Sequence, residues 1–220
     1  MDRPYDVITF DCYGTLVDWE GGIHAAFTAA GASVDRVKLL RAYAETEPDV
    51  QAESYRPYRD VLAETARRVA ARIGWMLPEH RAGFLADSLR HWKPFPDTVP
   101  ALERLAAAGY RLGILSNIDD DLLAGTLLEL GVGFDPIVTA EKVRAYKPAH
   151  AHFEAARERI GKARWLHAAQ SYFHDIVPAR ALGISNAWIN RKRDLSSDGG
   201  LPDKELPTLE ALADWLAPAD

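Results

Sequence analysis

The sequence predicts an α/β fold, a parallel sheet flanked by helices with a helical block inserted after the first strand. Three observations predict it. Residues 7–10 form a short apolar, β-rich run that ends at Asp11. Residues 21–92 read as helical, rich in Ala, Leu, Arg and Glu. Beyond Pro94, Pro96 and Pro100, apolar strand-like runs alternate with helical stretches.

The elements follow in order. The run 7–10 is apolar enough to be a buried strand. Within the helical block the clearest helix is 58–73, and Gly74 and Pro78 punctuate it. After the prolines come a helix over 99–108, a strand over 110–115, a helix over 119–130 and a short strand over 136–139. A helix over 149–160, a strand over 164–168, a helix over 173–182 and a strand over 185–189 complete the alternation. The last helix spans 208–216. The whole is expected to be one Rossmann-like core, residues 1–17 and 94–220, carrying an inserted α-helical cap, residues 18–93.

Composition excludes several classes. The chain has 220 residues, 48% of them hydrophobic, which is enough for a sizeable core. A formal net charge of -6, with no long run of Lys or Arg, gives no footprint for nucleic acid. Cys12 is the only cysteine, so neither an intrachain disulfide nor a cysteine metal cluster can form. The seven histidines include no HExxH, and His150 and His152 do not share a helix face. No apolar stretch is long enough to span a bilayer, and Met1-Asp2-Arg3-Pro4 leads straight into a strand. These features lead us to expect a cytoplasmic protein without membrane contact.

In open parallel sheets, ligands bind at the carboxyl ends of strands near the switch in strand order. Four groups of residues fall there. Asp11 ends the first strand, and Gly14 lets the backbone turn close to a ligand. A carboxylate at that place can be a covalent nucleophile; it can equally cap a turn. Ser116 and Asn117 end the second long strand, where hydroxyl and amide can hold a substrate oxygen or cap the next helix. Asp119, Asp120 and Asp121 read as charge for that helix's N-terminus. Lys147, before Pro148, can reach back over the strand ends and pair with a carboxylate. Asp175 follows the fourth strand and can orient water, hold Lys147 or bind a metal.

Each signal is ordinary alone, but together and in this order they resemble the haloacid dehalogenase superfamily. Asp11 to Thr15 matches its Asp-x-x-Gly-Thr motif, Ser116 its second motif, Lys147 its third, and Asp175 its acidic fourth. The phosphatases of that superfamily carry a second Asp two residues after the nucleophile, where this chain has Tyr13. They also carry a Gly-Asp pair ahead of the last Asp, where this chain has Gln170 to Asp175. The stretch Asp11-Cys12-Tyr13-Gly14-Thr15-Leu16 instead resembles the L-2-haloacid dehalogenase subfamily, which works without metal or cofactor. Trp188-Ile189-Asn190-Arg191 and Leu39-Leu40-Arg41 resemble it too.

The resemblance implies hydrolytic dehalogenation of a short 2-haloacid through an aspartyl ester, with the substrate and water as partners and a homodimer as the assembly. Asp11 would be the nucleophile, held with Asp175 by Thr15 and Lys147. Ser116 and the amides near Cys12 and Tyr13 would hold the substrate carboxylate. Arg41, Asn117 and His174 would stabilise the departing halide, and Asp175 would position water. Gln170, Ser171 and Tyr172 are supporting candidates. The pattern departs from the subfamily at Gln170 to Asp175, at Phe153 where a tyrosine is usual, and at Ala42. A phosphatase or another carboxylate-nucleophile hydrolase is the alternative, and a non-catalytic binding module the third reading. Tyr43, Tyr55 and Tyr58 read either as pocket or as packing residues.

Overall fold

In the computed structural model, which describes residues 3–218, β1 (Val7–Phe10) is followed by α1 (Trp19–Ala29), α2 (Arg36–Ala52), α3 (Tyr58–Ile73) and α4 (Phe84–Ser88). Then come α5 (Thr98–Ala107), β2 (Arg111–Ser116), α6 (Asp120–Leu130), β3 (Ile137–Thr139) and α7 (Ala140–Val143). The chain ends with α8 (Ala151–Ile160), β4 (Trp165–Ala169), α9 (Val177–Ala181), β5 (Ser185–Ile189), β6 (Lys204–Leu206) and α10 (Leu209–Leu216). The six strands make one parallel sheet in the order β3-β2-β1-β4-β5-β6.

That order makes β1 central, and all four of its residues are buried, which explains its unbroken apolar character. Phe10 pairs with Ile114 on one side and Ala168 on the other. The residues just beyond, Asp11, Ser116 and Gln170, therefore emerge at one edge of the sheet, where the strand order reverses.

The chain leaves and re-enters the sheet region at one place. Val17 bridges both Tyr13 and Pro94, and the amides of Asp18 and Phe95 bond to the carbonyls of Lys93 and Leu16. Between these points α1 and α2 start on aspartate caps: Asp18 accepts from the Gly21 amide and Asp35 from the Lys38 amide. Gly22 on α1 leaves room for the Trp92 ring, because a Cβ there would stand 2.4 Å from it. A cluster of Phe27, Trp75 and Phe84, with Phe27 and Phe84 edge to face at 5.0 Å, packs α1 against the segments after α3.

Two expectations are corrected. The helix expected over 173–182 begins as a wide π-type turn, Tyr172–Ile176, before α9. Pro178 has no N–H for the i−4 carbonyl and sits in the first turn of α9, where none is needed. β6 was not expected, because Lys204-Glu205-Leu206 is short and charged, as an edge strand tends to be. Among the described residues no helix is long and apolar enough to cross a membrane.

Candidate active site

A cavity of about 270 Å³ lies between the carboxyl edge of the sheet and the inserted helices α2 and α3. Its floor includes Asp11, Ser116, Asn117, Lys147, Gln170, Ser171, His174 and Asp175. Tyr43, Glu47 and Gln51 from α2, Tyr58 from α3, and Trp19 and Trp92 supply much of the rest.

Asp11 is fixed at both oxygens. Lys147 Nζ donates to Oδ1 at 3.0 Å and the Thr15 hydroxyl to Oδ2 at 2.9 Å. Thr15 Oγ1 in turn accepts from the Gln170 amide at 2.8 Å. Gly14 turns the loop at φ 99°, and a Cβ there would stand 3.1 Å from Gln170 Oε1. Arg191 clamps the same loop from outside, donating to the Thr15 carbonyl and to Asp97 while lying over the Phe95 ring.

Lys147 is buried, and all three of its protons are engaged, by Asp11, the Leu115 carbonyl at 2.8 Å and Asp175 at 2.6 Å. The two carboxylates differ. Burial pushes the Asp11 carboxyl above its usual range, against the pull of Lys147. Burial also opposes ionisation of Asp175, but Lys147 and His167 outweigh it and hold this group down at about 2. Asp175 Oδ1 takes both bonds, from Lys147 and from His167 Nε2 at 2.9 Å, while Oδ2 has no partner among the described residues.

The tautomer of His167 follows from a chain of donors. Trp165 Nε1 can only donate, and it donates to Thr9 Oγ1 at 2.7 Å. The Thr9 proton then serves His167 Nδ1 at 2.8 Å, which places the ring proton on Nε2, facing Asp175. Phe153 packs edge-on against this ring at 5.1 Å. Ser171 Oγ accepts the His174 amide and lies 3.0 Å from Nδ1, while Nε2 has no partner among the described residues. Burial lowers the pKa of His174, keeping the ring neutral.

The structure thus brings together Asp11, Thr15, Ser116, Asn117, Lys147, Gln170, Ser171, His174 and Asp175. The Ser116 hydroxyl and the backbone amides of Cys12 and Tyr13 have no acceptor among the described residues. The Cys12 side chain belongs to the core, and the Tyr13 hydroxyl is turned to Thr126 at 2.9 Å.

Three expectations are corrected. Arg41 is exposed and outside the cavity wall, which α2 builds only from Tyr43 onward. Asn117 lines the cavity, but its two amide protons go to Gln51 Oε1 and the Lys147 carbonyl, so it clamps the Lys147 loop and has none left for a halide. Tyr172 points elsewhere, with its hydroxyl among Asp198, Gly200 and Arg180. Tyr43 and Tyr58 line the cavity, whereas Tyr55 packs on Tyr146. Sequence reasoning missed His167, Glu47 and Gln51. The four-residue spacing of Tyr43, Glu47 and Gln51 signals a shared helix face; nothing local marks His167.

The donor set does not fit Mg²⁺, which needs carboxylate oxygens free of a competing cation. Among the described residues the wall has three carboxylates: Asp11 and Asp175 are bonded to Lys147, and Glu47 lies on the cap side, on α2. What the arrangement offers is an anchored carboxylate, amide and hydroxyl donors beside it, and a second carboxylate with one free oxygen.

Comparison with known proteins gives concordant results. A family model described as haloacid dehalogenase-like hydrolase matches residues 5–172. The (S)-2-haloacid dehalogenase H-109 of Pseudomonas putida is 27% identical, over 97% of this chain and 99% of that one. Haloacetate dehalogenase H-2 of Moraxella sp. (strain B) is 26% identical, over 98% and 99%. The fold resembles that of the L-2-haloacid dehalogenase from Xanthobacter autotrophicus, solved with chloropropionic acid covalently bound. The TM-score is 0.80 and the identity 20%, over 95% of this chain and 97% of that one.

Proposed function

The chain belongs to the haloacid dehalogenase-like hydrolases, and we propose that it converts short 2-haloalkanoic acids to 2-hydroxy acids through an ester on Asp11. The observation that carries this reading is Asp11 itself, anchored by Lys147 and Thr15 beside the unengaged amides of Cys12 and Tyr13 and the Ser116 hydroxyl. The full-length relatives that carry the dehalogenase name support it.

The substrate carboxylate sits on those amides and on Ser116. An Asp11 oxygen attacks the α-carbon from behind, the carbon–halogen bond breaks, and the halide leaves with its electron pair. With Arg41 outside the wall and Asn117 engaged, the halide's donor in this reading is His174, in the tautomer that carries its proton on Nε2 and accepts the Ser171 hydroxyl at Nδ1. Water then gives a proton toward the free Oδ2 of Asp175 and adds to the carboxyl carbon of Asp11. The hydroxy acid departs with that proton, the second proton of the water is released to solvent, and Asp11 is restored as a carboxylate carrying an oxygen from water. His167 keeps Asp175 oriented for this step. Residues 18–93 act as the cap that shields it from bulk solvent. A cytoplasmic setting and a homodimer belong to the same proposal.

Halide release tests it. With 2-chloropropionate and EDTA present, the protein should liberate chloride, and Asp11→Asn should liberate none. Phosphate release from phosphate esters, seen only with Mg²⁺ and with no chloride released, would overturn the reading.

A further inference from the structure

The cap side of the cavity carries a carboxyl group with no cation to match it. Glu47 lies between Tyr43 and Gln51 on the cavity face of α2. Its Oε1 accepts from the Tyr58 hydroxyl at 3.1 Å and from the Gln51 amide. Its other oxygen has no partner among the described residues. Among the described residues Lys147 is the only Lys or Arg in the wall, and its three protons already go to Asp11, Leu115 and Asp175. Donors suited to an anion are on the sheet side, at Ser116 and the loop after β1. The cavity is therefore two-ended: the floor suits a carboxylate and the roof suits a positive donor.

We propose that Glu47 is a specificity residue for a cationic group, so that the substrate is a 2-haloacid with a protonated amine at its far end. The proposal rests on the dehalogenase reading only for the halogen-bearing end. A second carboxylate facing a bound carboxylate in a half-dry cavity is unfavourable unless a cation lies between them. An ammonium group meets that need, and Tyr43, Tyr58 and Trp92 add aromatic surface, which attracts cations through the ring quadrupole. Burial raises the Glu47 carboxyl pKa in the free protein, and an arriving ammonium lowers it again, so binding and ionisation reinforce each other.

Equilibrium binding of unreactive acids tests this without turnover. The probes are 4-aminobutanoate, 5-aminopentanoate and 6-aminohexanoate, each paired with the acid bearing methyl in place of ammonium: pentanoate, hexanoate and heptanoate. At one length or more the amino acid should bind at least about tenfold tighter than its partner. Glu47→Gln keeps an oxygen for Tyr58 to donate to. It should abolish that preference while leaving the methyl-terminated acid within about twofold, which also verifies the fold. Equal or weaker binding of the amines at every length would overturn the proposal, as would a preference that survives Glu47→Gln. Because no halide is involved, a failure of halide release counts against the dehalogenase reading and leaves this result to be judged separately.

Discussion

Asp11, Lys147 and Asp175 form one buried charge unit. Removing Lys147 would leave two carboxylates uncompensated in the interior, whereas removing either aspartate leaves a matched pair. The same burial acts on a group outside the chemistry. His152 is fully buried, with Nε2 at 3.2 Å from the Ser116 carbonyl and Nδ1 without a partner among the described residues. Burial, with Lys147 nearby, lowers its pKa to about 3. The unfolded chain takes up a proton near the ordinary histidine value of ~6.5, which the folded chain refuses. Its contribution to stability is therefore complete above that pH and is lost as pH falls toward 3, at about 1.4 kcal/mol per pH unit. The urea midpoint should drop between pH 7 and pH 5, and His152→Gln should flatten the drop; an undiminished drop would assign it elsewhere. At this scale the sequence singled out Asp11 and Ser116 because each sits where a strand pattern stops, and Lys147 and Asp175 because they lie in the segments that follow later strands. The roles of His167 and Glu47 were hidden, since they depend on partners distant in sequence or on which helix face turns inward. Arg41 misled for the same reason: residue type and place in the chain do not fix a helix's rotation.

Between elements, the strongest unforeseen link is Asp119. The sequence assigned it to the N-terminus of α6, but its carboxylate accepts from the amides of Tyr58 and Arg59 at 2.8 and 2.9 Å and so caps α3. That helix begins after Pro57, which offers no side-chain cap. The α6 end is served instead by Glu141, which accepts from the Asp120 amide at 2.7 Å. Asp119 thus ties the loop after β2 to the helix that brings Tyr58 into the cavity. Asp119→Ala should cost about 0.5–2 kcal/mol, the range for a lost N-cap. It should also speed hydrogen exchange at the Tyr58 and Arg59 amides; unchanged exchange there would contradict the assignment. The strands β1 to β5 and the helices α3, α5, α6, α8 and α10 were legible to within about two residues, since apolar runs and proline breaks mark them, whereas β6, α7 and the limits of α1, α2 and α4 were not. The wide turn at Tyr172–Ile176 was not, because a helical composition does not separate α from π geometry.

For the whole molecule, the sheet order places the anchored carboxylate at the topological switch, and the inserted helices close the cavity over it. The order of motifs along the chain made this arrangement legible before any contact was known. The cavity's lining was not legible, because it is assembled from residues scattered between Asp11 and Asp175. The central claim is that the Asp11 carboxylate becomes covalently bonded to substrate. A single turnover of 2-chloropropionate in ¹⁸O-water, with enzyme in excess, tests it most directly. Mass spectrometry of the peptide containing Asp11 should show a gain of about 2 Da, the oxygen isotope difference, with unlabelled lactate as product. Labelled lactate and an unchanged peptide would mean that water attacks the substrate itself, and would contradict the account.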